Sequence, residues 1–213
     1  MSATTTALPA RLPFLDARAK SRAVQAVRAF ESHTSAELVI TVRKRTRTYP
    51  EVDYFFGATF AFVALLFLLF YPVDFATSLM PVDVVVAFAV GFLLSRFLPP
   101  LRKVGLSEKK RREAVDEAAK AAFVDLGVTR TTGRTGVLVF IALFEGIVAI
   151  VTDVGVSPEA KKAAEDAKHT LEDALRRSDM SAFAQTVESL GPRFATTMVR
   201  SADDVNELSD EIA

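Results

Sequence analysis

The 213-residue chain has no cysteine, which excludes disulfides, thiolate metal sites and a cysteine nucleophile. Histidine is nearly as scarce: His33 and His169 are the only two, and neither has a metal-ligand partner at helical spacing. His169 falls on the charged side of its helix. His33 falls in a helix-to-strand turn, where a hydrogen bond to the backbone is the expected role. Residues 1–13 lack the apolar core of a signal peptide; threonine-rich and broken by Pro9 and Pro13, they read as a flexible tail. Between Pro72 and Asp83 there are two acids, Asp74 and Asp83, and no lysine or arginine. No internal repeat or low-complexity segment is visible. The late acids Asp203, Asp204, Glu207, Asp210 and Glu211 lack the spacing of a calcium loop, so residues 201–213 read as an acidic, solvated tail.

What the chain does have is apolar length. Tyr54 to Tyr71 carries no charge. At 1.5 Å per residue it extends roughly 27 Å, close to the hydrocarbon thickness of a bilayer. Its terminal tyrosines suit the headgroup level. A second run, within residues 82–98, is interrupted by Ser95 and Arg96, whose long stem can reach an interface. The alternative is a helix pair buried in a soluble core, against which the apolarity on every face argues. The formal net charge is zero, yet the cations gather beside the two runs. Arg43, Lys44, Arg45 and Arg47 precede the first; Arg102, Lys103, Lys109, Lys110, Arg111 and Arg112 follow the second. The positive-inside rule then predicts an inner-membrane protein with a two-helix hairpin over 54–98 and both termini cytoplasmic. The basic collar would face anionic headgroups, each charge worth about 1 kcal/mol near such a leaflet. Lacking interleaved aromatics, it does not predict nucleic-acid binding. Gly57 and Ala61 share one helix face, as do Ala87, Gly91 and Ser95. Small residues at that spacing let helices approach closely, within the hairpin or against a second copy or another membrane protein.

The rest alternates helix and strand. Leu15 to Glu31 has an apolar stripe (Ala23, Val24, Val27, Phe30) and Asp16 as its cap. The pattern then changes to period two, with Leu38, Ile40 and Val42 on one face and Glu37, Val39 and Thr41 on the other. After Pro99-Pro100, Ser107 can cap a helix to about Asp125, with Gly127 just beyond. Val137 to Leu143 and Ile147 to Thr152 read as strands joined at Phe144-Glu145-Gly146; the β-branching and that polar centre argue against a third membrane helix. Ser157-Pro158-Glu159 starts a helix. Another runs from about Met180 to Leu190, with Gly191-Pro192 expected to kink or break it before Phe194 to Val199. Two crossings return the chain to the side it left, so residues 14–53 and 99–200 can form one discontinuous α/β domain with a small mixed sheet.

Several segments resemble the TPM-domain family, and within it a bacterial membrane branch carrying a two-helix transmembrane insertion. Thr34-Ser35-Ala36-Glu37-Leu38-Val39-Ile40 resembles its first strand, and Thr132-Gly133-Arg134-Thr135-Gly136-Val137-Leu138-Val139 its second. Ile147 to Gly155, ending Asp153-Val154-Gly155, resembles the third, and Asn206-Glu207-Leu208 is similar to the close of that branch. The likeness covers about residues 16–210. It implies a three-layer α/β/α domain and a range of roles: phosphatases linked to photosystem repair, calcium binders, and accessory subunits of membrane complexes. Many relatives work outside the cytoplasm behind a signal peptide, a setting the charge distribution here does not predict.

Glu37, Arg134 and Asp153 are the candidate catalytic residues, all near strand ends. An arginine with a carboxylate can bind phosphate, and Glu37 and Asp153 can hold a cation such as calcium; the competing expectation is an ion pair that pins the first strand to the second. Thr131, Thr132 and Thr135 can add hydroxyls. Gly127 to Thr135 fails as a phosphate loop in spacing, in arginine for lysine, and in the strand that follows. No cofactor is predicted. The expectation is a membrane-anchored accessory module with a membrane-protein partner or a second copy; a TPM-type phosphatase or a calcium- or lipid-responsive sensor are the alternatives.

Overall fold

The computed structural model describes residues 14, 16–72, 76–200 and 207–208, apart from the side chains of residues 99 and 100. Residues 1–13, Asp74 and most of the acidic C-terminal stretch, including Asp203, Asp204, Asp210 and Glu211, lie outside the described residues. The elements are α1 (Ala17–Glu31), β1 (Glu37–Arg43), α2 (Pro50–Phe70), α3 (Met80–Phe97), α4 (Pro99–Gly105) and α5 (Glu108–Asp125). After a 3-10 turn at Val128–Arg130 come β2 (Gly136–Ala142), β3 (Ile147–Thr152), α6 (Pro158–Arg176) and α7 (Met180–Ala195). The chain is thus mixed α/β. It divides into two compact units, Met1–Thr46 with Arg112–Ala213, and Arg47–Arg111.

The first unit is built on a mixed sheet in the order β1-β2-β3. β1 runs parallel to β2, from Glu37 opposite Gly136 to Arg43 opposite Ala142, and β2 pairs antiparallel with β3. The apolar stretch from Val137 to Val151 is therefore a strand hairpin. Gly146 in its turn has φ +68°, a left-handed conformation that costs glycine little. Period-two alternation sorts the strand residues into two hydrophobic clusters. Leu38, Ile40, Val139, Ile141 and Val148 pack with α1, α6 and α7 through Phe30, Leu171, Phe183 and Phe194. Val39, Leu138, Phe140, Ala142 and Ala149 pack with Val115, Ala119, Ala122 and Phe123 of α5. Backbone N–H groups on both outer strands meet carboxylates: Leu38 donates to Glu31 at 3.0 Å and Val148 to Glu172 at 3.4 Å.

The helix ends follow local chemistry. Asp16 accepts from the Ala19 amide at 2.7 Å, and Ser157 from that of Ala160 at 3.1 Å. α7 departs from expectation, because it runs through Gly191-Pro192 to Ala195. Pro192 lies in the last turn, and Gly191 lets the helix press on α1: a Cβ there would come 3.1 Å from the Phe30 carbonyl oxygen.

In the second unit α2 starts at Pro50 rather than Tyr54, since Pro50 occupies the first turn together with Glu51 and Asp53. α3 likewise starts at Met80, which shortens the connecting turn. Pro99-Pro100 ends α3 as expected, but also opens a short helix, α4, that the sequence pattern does not announce. α2 and α3 are packed on each other where side chains are smallest. A Cβ on Gly57 would lie 2.8 Å from the Phe88 ring, and one on Gly91 would lie 2.7 Å from the Phe56 carbonyl oxygen. Ala61 and Ala87 are half-buried. Both helices are long and apolar enough to cross a membrane. Gly91→Leu is expected to force α2 and α3 apart and lower the thermal midpoint in detergent, the overpacking costing about 1–3 kcal/mol. Val86→Leu, on an exposed position of α3, should leave the midpoint unchanged by circular dichroism.

Candidate functional site

Two loops interlock at one end of the sheet. Arg134 precedes β2 and takes φ +54°, unusual for a residue with a side chain. Its Nε and Nη2 donate to the two carboxylate oxygens of Asp153, just after β3, at 2.8 and 3.0 Å. Asp153 is buried, its Oδ1 also accepts from the Val154 amide at 2.7 Å, and the Arg134 side chain is about half exposed. The Gly155 amide donates to the Arg134 carbonyl at 2.8 Å. A Cβ on Gly155 would lie 2.1 Å from the Gly133 carbonyl oxygen, so glycine is required there. Glu37 is buried at the head of β1, opposite Gly136. Its side chain bonds to neither Arg134 nor Asp153, whose side-chain hydrogen bonds among the described residues are those just given. The ion pair therefore joins the loop before β2 to the end of β3; it does not tie β1 to β2.

The threonines nearby serve the same loops. Thr131 Oγ1 accepts from the Thr135 amide at 3.0 Å, and Thr135 Oγ1 donates to the Ser35 carbonyl at 3.1 Å. The Thr132 amide donates to Glu207 at 2.6 Å, while Leu208 packs against the cluster beneath α5. Hydrogen bonds from the Thr132 hydroxyl and amide hold the Glu207 carboxyl below its ordinary value of 4.5. Strand direction also matters. Because β1 and β2 are parallel and start at Glu37 and Gly136, the Arg134–Asp153 pair lies at their amino ends. Open α/β sheets place ligands at the carboxyl ends. Those ends lead to Arg43, Arg45 and Thr46, where an open groove of about 390 Å³ is lined by Arg43, Arg45, Thr46, Ala118, Ala122, Asp125 and Phe140.

Among the described residues no three histidine or acidic side chains come together in a group that could hold a metal. His33 Nδ1 lies 2.7 Å from the Ala29 carbonyl, the backbone role expected of it. His169 is exposed.

The cations of the expected collar have separate tasks. Arg102 is buried, contrary to its assignment to a headgroup-facing collar. Its Nε donates to Asp53 Oδ1 at 2.9 Å, its Nη2 bonds the other oxygen, and Ser95 Oγ donates to Asp53 Oδ1 at 2.8 Å. Arg112 reaches the buried Glu172 at 3.0 and 3.3 Å. Arg47 pairs with Glu51 at 3.5 Å and lies over the Tyr49 ring. Lys103, Lys109 and Arg111 also have interactions within the chain. By contrast, the Arg43, Lys44 and Lys110 side chains make no ion pair or hydrogen bond among the described residues. Arg45 stacks on the Phe144 ring, 4.5 Å from its centre. Asp53 belongs to no motif or periodic pattern; its one signal in the sequence is a carboxylate at the mouth of an apolar run, with Ser95 at the far end of the next.

A mixed α/β domain interrupted by a pair of long apolar helices is the class that the fold defines. It is similar to the solution NMR structure of the BA42 protein from the psychrophilic bacterium Bizionia argentinensis. The TM-score is 0.56 at 16% sequence identity, covering 94% of each chain; at that identity the likeness is one of fold. No family model matches the chain, and no curated protein matches it.

Asp53→Ala is expected to destabilise the protein by about 3–5 kcal/mol, because it leaves the Arg102 charge buried without its partner. The double variant Asp53→Ala/Arg102→Met should recover part of that loss in a double-mutant cycle measured in detergent. The Glu207 contact has its own pH signature. A carboxyl lowered on folding stabilises the folded form above 4.5, and that contribution disappears as pH falls through the lower folded value. Amide exchange at Thr132, corrected for intrinsic rate, should therefore be protected at neutral pH and lose protection on acidification; Glu207→Gln should show weak protection throughout.

Proposed function

We propose that this chain is a membrane-anchored, TPM-type accessory module. It spans the inner membrane twice through α2 and α3 and holds a three-layer α/β/α domain at the cytoplasmic face, where it assists or scaffolds a membrane protein complex. One observation carries this reading. The two long helices, packed on each other, still expose Phe55, Phe62, Phe70, Val85 and Phe97, each more than half accessible. Water does not tolerate so continuous an apolar sheath, and lipid or a helical partner would cover it. The exposed faces of Lys44, Arg43 and Lys110 suit an anionic cytoplasmic leaflet.

The candidate site supports a scaffold more than a hydrolase. Arg134 and Asp153 satisfy each other, and the neighbouring threonine hydroxyls are engaged in holding the loops. A phosphatase working through this pair would have to open it first. The reading is tested by purification of the full-length protein in mild detergent, with cross-linking before lysis. Recovery of a stoichiometric membrane partner or a defined oligomer is expected. A monomer without partner, or turnover of a generic phosphoester that Arg134→Ala and Asp153→Ala both abolish, would replace it with the enzyme reading. Reporter fusions at the two termini should both signal from the cytoplasm.

A further inference from the structure

We propose that the groove at the carboxyl end of the parallel strand pair is a binding site for a phosphate ester. Arg43 and Arg45 would hold the phosphate, and Asp125 would receive a hydroxyl or ammonium donor carried by the same molecule. The site lies at the opposite end of the sheet from Arg134 and Asp153, and it does not depend on the scaffold reading.

Three observations bear the inference. The first is charge left over. Buried Asp53 and Glu172 engage Arg102 and Arg112, whereas the side chains of Arg43 and Asp125 make no ion pair or hydrogen bond among the described residues, although both residues line this groove. Asp125 is the last residue of α5, where the helix dipole disfavours a negative charge and no basic residue in the last turn offsets it. A carboxylate in that position with no internal partner is available to a ligand.

The second observation is preorganisation. The segment after β1 is held along its length. The Leu143 and Phe144 amides donate to the Arg43 and Lys44 carbonyls, each at 3.0 Å. Thr46 anchors the segment to buried Glu145 through its amide at 3.2 Å and its hydroxyl at 2.7 Å. Between these anchors Arg45 is stacked on Phe144, which fixes the guanidinium without occupying its N–H donors. Two arginines on a fixed segment match the planar, multidentate recognition that phosphate favours.

Third is place and size. Ligands of open α/β sheets collect beyond the carboxyl ends of parallel strands, and a groove of about 390 Å³ falls in the lower range of small-molecule sites. It admits a phosphate with the polar group that it esterifies. With two arginines against one aspartate, a ligand bearing a phosphate and a neighbouring donor complements the groove better than a bare anion.

The shared chemistry belongs to lipid headgroups and to soluble esters, and the experiment separates them. Full-length protein, delipidated in detergent, is presented by native mass spectrometry with phosphatidylglycerol, phosphatidylethanolamine and phosphatidylcholine in equal amounts, and separately with glycerol 3-phosphate and phosphoethanolamine. The donor-bearing lipids are expected to be retained at least tenfold over phosphatidylcholine, whose quaternary ammonium has no N–H to offer. Arg43→Gln/Arg45→Gln should abolish that retention. Asp125→Asn should level the headgroups while keeping binding, and Phe144→Leu, which frees Arg45, should weaken binding by a smaller factor. Soluble esters bound as well as the lipids, with the same losses in the variants, would support the groove and identify its ligand as soluble. Equal retention by wild type and the double arginine variant, with both folded by circular dichroism, would overturn the proposal. So would absence of any adduct with all five probes.

Discussion

The parallel pairing of β1 with β2 is the constraint on which the rest depends. The chain leaves the sheet at Arg43 and rejoins it at Gly136, yet the two strands are matched residue for residue from Glu37–Gly136 to Arg43–Ala142. Parallel neighbours always need a crossover, usually one helix. Here the crossover contains α2, α3, α4 and α5, and α5 packs on the sheet. α2 and α3 pack on each other, so the excursion doubles back before α5 leads into β2.

Within this frame, charge is used for joining rather than for display. Asp53, Asp153 and Glu172 are buried and each accepts from an arginine distant in sequence. Every one of these pairs ties segments that no continuous helix or strand connects: α2 to α4, the loop before β2 to the end of β3, and α5 to α6. Additional donors, Ser95 and the Val154 and Val148 amides, share those carboxylates. Shared satisfaction of this kind makes a buried ion tolerable, because desolvation costs several kcal/mol per ion unless hydrogen bonds offset it.

Much of the fold could be read in advance. The switch from 3.6-residue to two-residue periodicity at Thr34 to Leu38, the alanine stripe of α6 from Ala160 to Leu175, and the polar break at Glu145-Gly146 all report local burial, which local patterns encode. Three things were not legible, each for a physical reason. The Asp53–Arg102 pair joins residues 49 apart, and no periodicity relates two charges at that distance. The continuity of α7 through Pro192 is decided by packing against Phe30, which outweighs a proline's local preference. Strand direction decided the third. Residues 37, 134 and 153 are near strand termini in any reading, but only the parallel register reveals that those are the amino ends of β1 and β2.

The carboxylates at Leu38 and Val148 have a consequence of their own. A three-stranded sheet has two flanks, and an open flank recruits whatever extended polypeptide drifts past. Glu31 and Glu172 meet those flanks from adjoining helices, so a neighbouring copy finds part of the hydrogen-bonding template already taken. An incoming strand must displace a carboxylate before it can pair at Leu38 or at Val148, which makes each flank a poorer template than a bare edge.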